Sequence, residues 1–253
     1  MKISGNTVLI TGGATGIGLA LAKRFLKTGN EVIVCGRRME KLAAAKAQFP
    51  NLQIRVCDVS DSLERESLVA WATNEFPELN VLVNNAGIQQ RINLAESQQD
   101  WNYYHQEIAA NLEAPIHLST LFLPHFMKKS HSTLINVSSR LAIAPAAWVP
   151  IYSVTKAALH SFTMSLRLQL SHTNIEVVEV LPPAVNTDLG GPGLHTFGAP
   201  LDDFADVVFE GLKSNDLEIE FGDSEMRKLV LKEEIEKSTK QMWEHFLSSN
   251  SQF

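Results

Sequence analysis

Thr7-Val8-Leu9-Ile10-Thr11-Gly12-Gly13-Ala14-Thr15-Gly16-Ile17-Gly18 is a short β-branched run that stops at a glycine-rich loop, and Leu19, Ala20, Leu21, Ala22 and Phe25 continue from it with helical spacing. The order is strand, glycine loop, helix. Glycines let a backbone turn tightly and approach a pyrophosphate, while the free N–H groups and positive end of the helix favour the anion. An ordinary glycine turn has the same composition. Here, however, the loop follows the first strand and opens a helix, which is the context a dinucleotide-binding fingerprint requires. The spacing, TGxxxGxG with Gly12, Gly16 and Gly18, differs from the commoner G-x-G-x-x-G.

Residues 31–35 form the next apolar run, between Gly29 and Gly36-Arg37-Arg38, where a dinucleotide-binding unit reads the adenosine ribose. An acidic residue there would select the 2′-hydroxyl of NAD(H). Two arginines stand there instead, and a guanidinium suits a 2′-phosphate through charge-assisted bonds. That favours NADP(H), with Arg37 the better candidate, and leaves NAD(H) open; a solvated arginine pair is the alternative. Residues 52–57, followed by Asp58, read as a third strand, and residues 81–87 as a fourth that ends in Asn84-Asn85-Ala86-Gly87. Residues 39–49 and 62–76 between them carry helical spacing. Alternating strand and helix predicts an α/β fold, a single doubly wound parallel sheet of Rossmann type with helices on both faces. Ligands of such sheets sit at the carboxyl ends of the strands, where Asp58 and residues 84–87 fall.

Residues 101–127 read as one or two helices with Asn111 in the middle, and a mid-helix Asn is most often solvent-facing or merely tolerated. Residues 133–137 are a fifth strand ending in Ser138-Ser139. Tyr152-Ser153-Val154-Thr155-Lys156 then opens a long apolar-rich helix over 154–170, and positions i and i+4 share a helix face. A positive charge beside a phenol favours the phenolate, moving a poor proton donor toward useful acid–base range. His160 lies one turn further along that face. With no carboxylate or second His at ligand spacing, it reads as a packing or interface residue, and the other histidines are equally isolated. Residues 175–181 are a sixth strand, followed by Pro182-Pro183-Ala184-Val185-Asn186-Thr187 and a Gly/Pro-rich stretch, 188–201. A long loop at the ligand edge of a sheet reads as a substrate lid rather than a linker. Residues 204–212 are helical and 217–221 a last strand. Residues 224–247 form an amphipathic C-terminal helix with Leu231, Ile235, Met242 and Phe246 on one side.

The 253 residues, 45% hydrophobic and 20% charged, suit one domain spanning 1–253 with a proper core. A net charge of −6 without a basic block argues against a nucleic-acid partner. Cys35 and Cys57 sit in apolar runs, where a thiol most often acts as a small hydrophobe, and no metal-ligand cluster is visible. The charge-free run 141–155 contains Pro145 and Pro150 and is too short to span a membrane. No secretory signal opens the chain, and a cytoplasmic protein is expected.

Thr11 to Gly18, Asn84 to Gly87, Asn111, Asn136-Val137-Ser138-Ser139 and Tyr152 to Lys156 together resemble the classical short-chain dehydrogenase/reductase family in type, order and spacing, over residues 4–222. The resemblance implies hydride transfer between a nicotinamide and a carbonyl or alcohol. Ser139 would polarise the carbonyl, and Tyr152 would give or take the proton. Lys156 would lower the tyrosine's proton affinity and hold the nicotinamide ribose, and Asn111 would bind a relay water. Gly12, Thr15, Gly16, Ile17, Gly18, Asp58, Asn85, Ala86, Gly87, Val185 and Thr187 would line the cofactor site beside Arg37. A homodimer or homotetramer is implied too, with the helix after Tyr152 a plausible interface. The family usually has Pro-Gly where this chain has Pro182-Pro183, which restricts the backbone under the nicotinamide. The 182–188 run and the C-terminal helix are similar to a bacterial subgroup named after the D-alanyl-lipoteichoic acid operon. Two rivals remain: a catalytically silent dinucleotide-binding sensor, which would not need an aligned acid, and an epimerase or dehydratase, whose relatives usually have longer chains.

Overall fold

The computed structural model describes residues 1–222 and 232–250. Seven strands make one all-parallel sheet: β1 (Thr7–Thr11), β2 (Glu31–Gly36), β3 (Gln53–Val56), β4 (Leu79–Asn84), β5 (Ser132–Val137), β6 (Ile175–Leu181) and β7 (Glu218–Glu220). Their order across the sheet is β3-β2-β1-β4-β5-β6-β7. The helices are α1 (Gly16–Lys27), α2 (Met39–Gln48), α3 (Ser62–Glu75), α4 (Trp101–Ile108), α5 (Ala114–Phe126), α6 (Pro150–Gln169), α7 (Leu201–Ser214) and α8 (Lys232–Ser249). The order reverses between β1 and β4, so the loops leaving these two strands diverge and open a crevice at their carboxyl ends.

The core follows from the two-residue period of the strands. Val8, Ile10, Val32, Val34, Val81 and Val83 point to one face and pack with Leu21, Phe25, Phe204 and Phe209 of α1 and α7. Leu9, Ile33, Leu82 and Leu134 point to the other and pack with Leu68, Phe122, Phe126 and Leu166 of α3, α5 and α6. Because both faces are covered, the central strands are apolar throughout rather than alternating. Cys35 and Cys57 are free and buried in the second layer. The Cys35 thiol is pushed well above its ordinary value by the neighbouring Cys57 thiol and by burial.

Several elements differ from the sequence expectation. The 101–127 segment is two helices separated by a π-helical turn, Ala109–Glu113, which contains Asn111. Helix α6 starts at Pro150, a residue suited to a first helical turn, so Tyr152 lies inside it. Residues 224–231 of the expected C-terminal helix, Leu231 included, lie outside the described residues, as does the side chain of Ile235. Phe246 of α8 is buried and stacks on Trp148 at 4.5 Å between ring centroids.

Candidate active site

The glycine loop sits in the crevice because β1 and β4 are fastened at their ends. The Thr11 hydroxyl donates to the Val83 carbonyl at 3.3 Å and accepts from the N–H groups of Asn85 and Ala86, each at 3.0 Å. The Asn85 amide donates back to the carbonyls of Thr11 at 2.9 Å and Gly12 at 3.2 Å. Gly12 has φ +62°, and a Cβ there would lie 2.9 Å from Ala86 Cα. A Cβ on Gly18 would lie 2.6 Å from Asn85 Nδ2. Thr15 is the N-cap of α1 and makes no side-chain capping bond, and no acidic residue occupies the first turn. Unsatisfied amides, an uncapped helix end and an absent Cβ fit a phosphate-bearing cofactor. Thr187 faces Gly16 from across the crevice, with its methyl carbon 3.5 Å from where a Cβ would stand. Arg37, just past β2, is exposed and pairs with Asp58 beyond β3 at 3.8 Å. The Asp58 carboxylate also accepts from Ser60 N–H at 2.9 Å and its hydroxyl at 2.7 Å. Val185 is buried and bridges to Ala199, which ties the two ends of the 188–201 loop together.

Asn111, Ser139, Tyr152 and Lys156 are all buried. Ser139 caps a single 3-10 turn, Arg140–Ala142, through a bond from Leu141 N–H at 3.1 Å. Lys156 donates to the Val137 carbonyl at 2.8 Å, and its Nζ lies 5.5 Å from the centroid of the Tyr152 ring. Pro182 offers its carbonyl to Arg140 N–H at 3.0 Å, so the Pro182-Pro183 corner supports the serine side of the site.

Asn111 overturns the solvent-facing expectation. It accepts from Ile88 N–H at 2.9 Å and donates to the Ile88 carbonyl at 2.8 Å and the Thr155 hydroxyl at 3.3 Å. The π turn makes this possible, since one extra residue turns the amide toward the 85–92 loop rather than outward. Nor is His160 isolated: its Nδ1 lies 2.8 Å from Glu179 Oε2, a fully buried carboxylate of β6. Only the sheet brings the partner, nineteen positions away, into reach.

Burial dominates the electrostatics. It pushes the Tyr152 phenol well above its ordinary value, the nearby Ser139 hydroxyl draws it back, and the charge of Glu107 raises it further. The net direction is upward, opposite to the lowering by Lys156 expected from the i, i+4 spacing. Lys156 is itself lowered to about 8 by burial, with Glu107 and Glu179 pulling it back up. Sequence reading missed Glu107, which is fully buried and raised to about 7, first by burial, with the Gln90 N–H and Lys156 opposing. A lone Glu within a helical pattern reads as a solvated residue, and no sequence signal separates it from its neighbours.

A seven-stranded parallel sheet with a glycine cradle at its order reversal, and a Ser/Tyr/Lys/Asn cluster beside that cradle, define a nucleotide-dependent oxidoreductase of the α/β class. The chain belongs to the short-chain dehydrogenase family, whose profile ("short chain dehydrogenase") matches residues 6–194. It is 48% identical over 224 residues to the uncharacterized oxidoreductase DltE of Bacillus subtilis, covering 87% of this chain and 89% of that one. The NADP-dependent 3-hydroxy acid dehydrogenase YdfG of Escherichia coli is 32% identical over 181 residues, 70% of this chain and 72% of that one. A short-chain dehydrogenase from Sphingobium yanoikuyae, solved in complex with NADPH, superposes with TM-score 0.80 at 25% identity, covering 87% of this chain and 89% of that one. Among the described residues no helix is long and apolar enough to cross a membrane, and no His/Cys/Asp/Glu group is arranged to hold a metal ion.

Proposed function

We propose that this enzyme transfers a hydride between NADP(H) and a small carbonyl/alcohol pair, with Tyr152 as the general acid/base and carbonyl reduction as the working direction. The observation that carries the proposal is the cluster at the β5 end: Ser139, Tyr152 and Lys156 are buried together, the Ser139 hydroxyl draws the Tyr152 phenol down, and the Lys156 ammonium lies 5.5 Å from the centroid of that ring. A pure binder needs the glycine cradle but not an aligned acid, which counts against the sensor reading. When bound, the nicotinamide supplies the hydride. Ser139 and Tyr152 then present two hydroxyls to one carbonyl oxygen, and the Tyr152 proton moves to that oxygen as negative charge develops on it. Lys156 offsets the charge left on the phenolate, and Asn111 holds the 85–92 loop against α6 at the place where a relay water would sit.

Gly12, Thr15, Gly16, Ile17 and Gly18 are assigned to the pyrophosphate side, and Asn85, Ala86, Gly87, Val185 and Thr187 to the nicotinamide side. Asp58 and Arg37 take the adenosine end. Preference for NADP(H) is supported by the exposed Arg37 at the end of β2, by the cofactor in the name of the Escherichia coli relative, and by the NADPH in the Sphingobium structure. The 188–201 loop is read as the substrate lid, its ends tied at Val185 and Ala199. Val154, Met164 and Leu168 are exposed along α6, which supports a homo-oligomer paired through that helix.

The test is NADPH consumption by the purified protein over a panel of aldehydes, ketones and 3-oxo acids, with NADH in parallel. Turnover should be faster with NADPH and should fall by about three orders of magnitude or more in Tyr152→Phe. NADPH binding without turnover on any carbonyl would overturn the reductase reading in favour of the sensor.

A further inference from the structure

The segment that follows β4 is fastened along one edge. The N–H groups of Ile88, Gln90 and Ile92 donate to Asn111 at 2.9 Å, to Glu107 at 3.2 Å and to the Trp148 carbonyl at 3.1 Å. In an extended chain alternate residues point to opposite sides, so the backbone polar groups of Gln89 and Arg91 face the other way. There the Gln89 carbonyl lies against the 188–201 loop, 3.2 Å from where a Cβ on Gly190 would stand. Leu189, one residue before Gly190, packs on the cluster that contains Tyr152, and so does Trp148. Arg91 thus stands between two anchor points, Gln89 and Ile92, whose contacts both lead to neighbours of Tyr152.

The Arg91 side chain has a place but no polar partner. Its Cζ lies 5.9 Å from the centroid of the Phe246 ring, and that ring stacks on Trp148. Its Nε is buried and, among the described residues, has no hydrogen-bond acceptor. Arg24, Arg37 and Arg167 each pair with a carboxylate, whereas Arg91 has no such pair among the described residues. A buried guanidinium N–H without an acceptor is costly. Arg140 also has a buried, unpartnered Nε, but its Nη2 donates to the Phe221 carbonyl and ties it to the end of β7. On the 188–201 loop, His195 Nδ1 is buried without a partner too. Burial first, then the positive charge of Arg91, lowers His195 below its ordinary value, so the loop brings a neutral ring there and not a second cation. Arg91 and Ile92 also line a cavity of about 370 Å³ whose walls hold one acid, Glu96, and no other cation.

We propose that Arg91 determines the substrate class: it receives the carboxylate of an oxo acid whose carbonyl is reduced at Tyr152. The inference deepens the reductase reading and rests on it. The Nε–H and an Nη–H of a guanidinium form a planar fork that matches the two oxygens of a carboxylate, and they supply donors exactly where an acceptor is missing. The Phe246 ring braces the guanidinium from one side. A single cation with an acid nearby suits a monoanion better than a phosphate dianion. The carboxylate takes no part in the redox step. Hydride passes from NADPH to the carbonyl carbon, the Tyr152 proton passes to the carbonyl oxygen, and the product is the hydroxy acid.

The experiment measures kcat/KM for acetoacetate and levulinate, each beside its methyl ester, in wild type, Arg91→Gln and Arg91→Lys, with folding checked by circular dichroism. Each ester keeps the carbonyl and loses the charge. Wild type should favour the acid by about tenfold or more, and Arg91→Gln should lower that acid-to-ester ratio by about 30-fold. Arg91→Lys, which keeps the charge without the fork, should recover part of the ratio. A wild type that reduces the ester as well as the acid, or a ratio unchanged in Arg91→Gln, would overturn the proposal; the first of these needs no variant to fold. Succinate titrated into the NADPH complex and followed by NADPH fluorescence, with succinamide as the uncharged control, reads the same site without turnover. Its affinity should fall about tenfold or more in Arg91→Gln. Failure of every carbonyl to turn over would sink the reductase reading, whereas succinate binding that is absent or indifferent to Arg91→Gln would sink the assignment of Arg91.

Discussion

The His160–Glu179 contact joins a partly buried imidazole to a fully buried carboxylate, and the hydrogen bond to Glu179 is the largest influence raising His160 above its ordinary value. The consequence for stability has a definite sign. A group whose folded pKa exceeds its unfolded value contributes fully below the unfolded value, about 6.5 for His, and loses that contribution as pH rises through the folded value. His160→Gln should therefore destabilise the protein by about 1–3 kcal/mol below pH 6.5 and progressively less in mildly alkaline buffer. Urea denaturation at a series of pH values checks this, and a difference that grows with pH would contradict it. The pair could not be read from the sequence. His160 and Glu179 belong to different elements, and only the packing of α6 on β6 joins them. Glu107 was hidden for the same reason: helical periodicity cannot show that a neighbouring loop removes all water from one glutamate.

At the scale of elements, the junction of β1, the glycine loop, α1 and the end of β4 behaves as one unit. The Thr11 and Asn85 side chains bond each other's backbone, and Gly18 packs where even a methyl group has no room. Overpacking a close contact of this kind forces the backbone apart. Gly18→Ala should displace the loop from the Asn85 amide and weaken NADPH binding by more than about tenfold. The thermal transition should move only a few degrees, since the substitution leaves both core layers intact. Calorimetric titration and melting of the same variant separate the two effects; equal affinity would show that the loop accommodates the methyl group. This unit was legible in advance because strand, glycine spacing and helix are local signals. The π turn within 101–127 was not, because an i→i+5 turn has no residue propensity of its own and depends on Asn111 finding Ile88 and Thr155.

Across the whole molecule, the last described helix closes back on the site that the first 222 residues build. Trp148 packs in the small cluster around Tyr152, with Leu141 and Leu189 of the loop after β6. Phe246 of α8 covers Trp148 in a stacked pair, 5° from parallel, and Arg91 lies over the Phe246 ring at 5.9 Å. Burying a phenylalanine contributes about 1.5–3 kcal/mol. Much of that should hold α8 in place, because the ring stacks on Trp148 of the small cluster around Tyr152. Phe246→Ala is accordingly expected to raise KM for the carbonyl substrate several-fold while leaving NADPH affinity and the main unfolding transition close to wild type. Steady-state kinetics beside a melting curve test this, and a large drop in melting temperature would show that α8 belongs to the core.

The sequence by itself determined the alternation of strands and helices, the doubly wound class and the glycine loop, and its motif order carried the resemblance that points to Asn111, Ser139, Tyr152 and Lys156. Those follow from periodicity, glycine spacing and motif order, all of which are written along the chain. Tertiary structure decided what surrounds them: a π turn that carries Asn111 inward, a buried carboxylate whose charge acts on Tyr152, a partner for His160 and an aromatic cover from α8. Each depends on which elements become neighbours and how much water they exclude. Burial, which has no signature in local sequence, is the largest influence pushing Tyr152 up and Lys156 down.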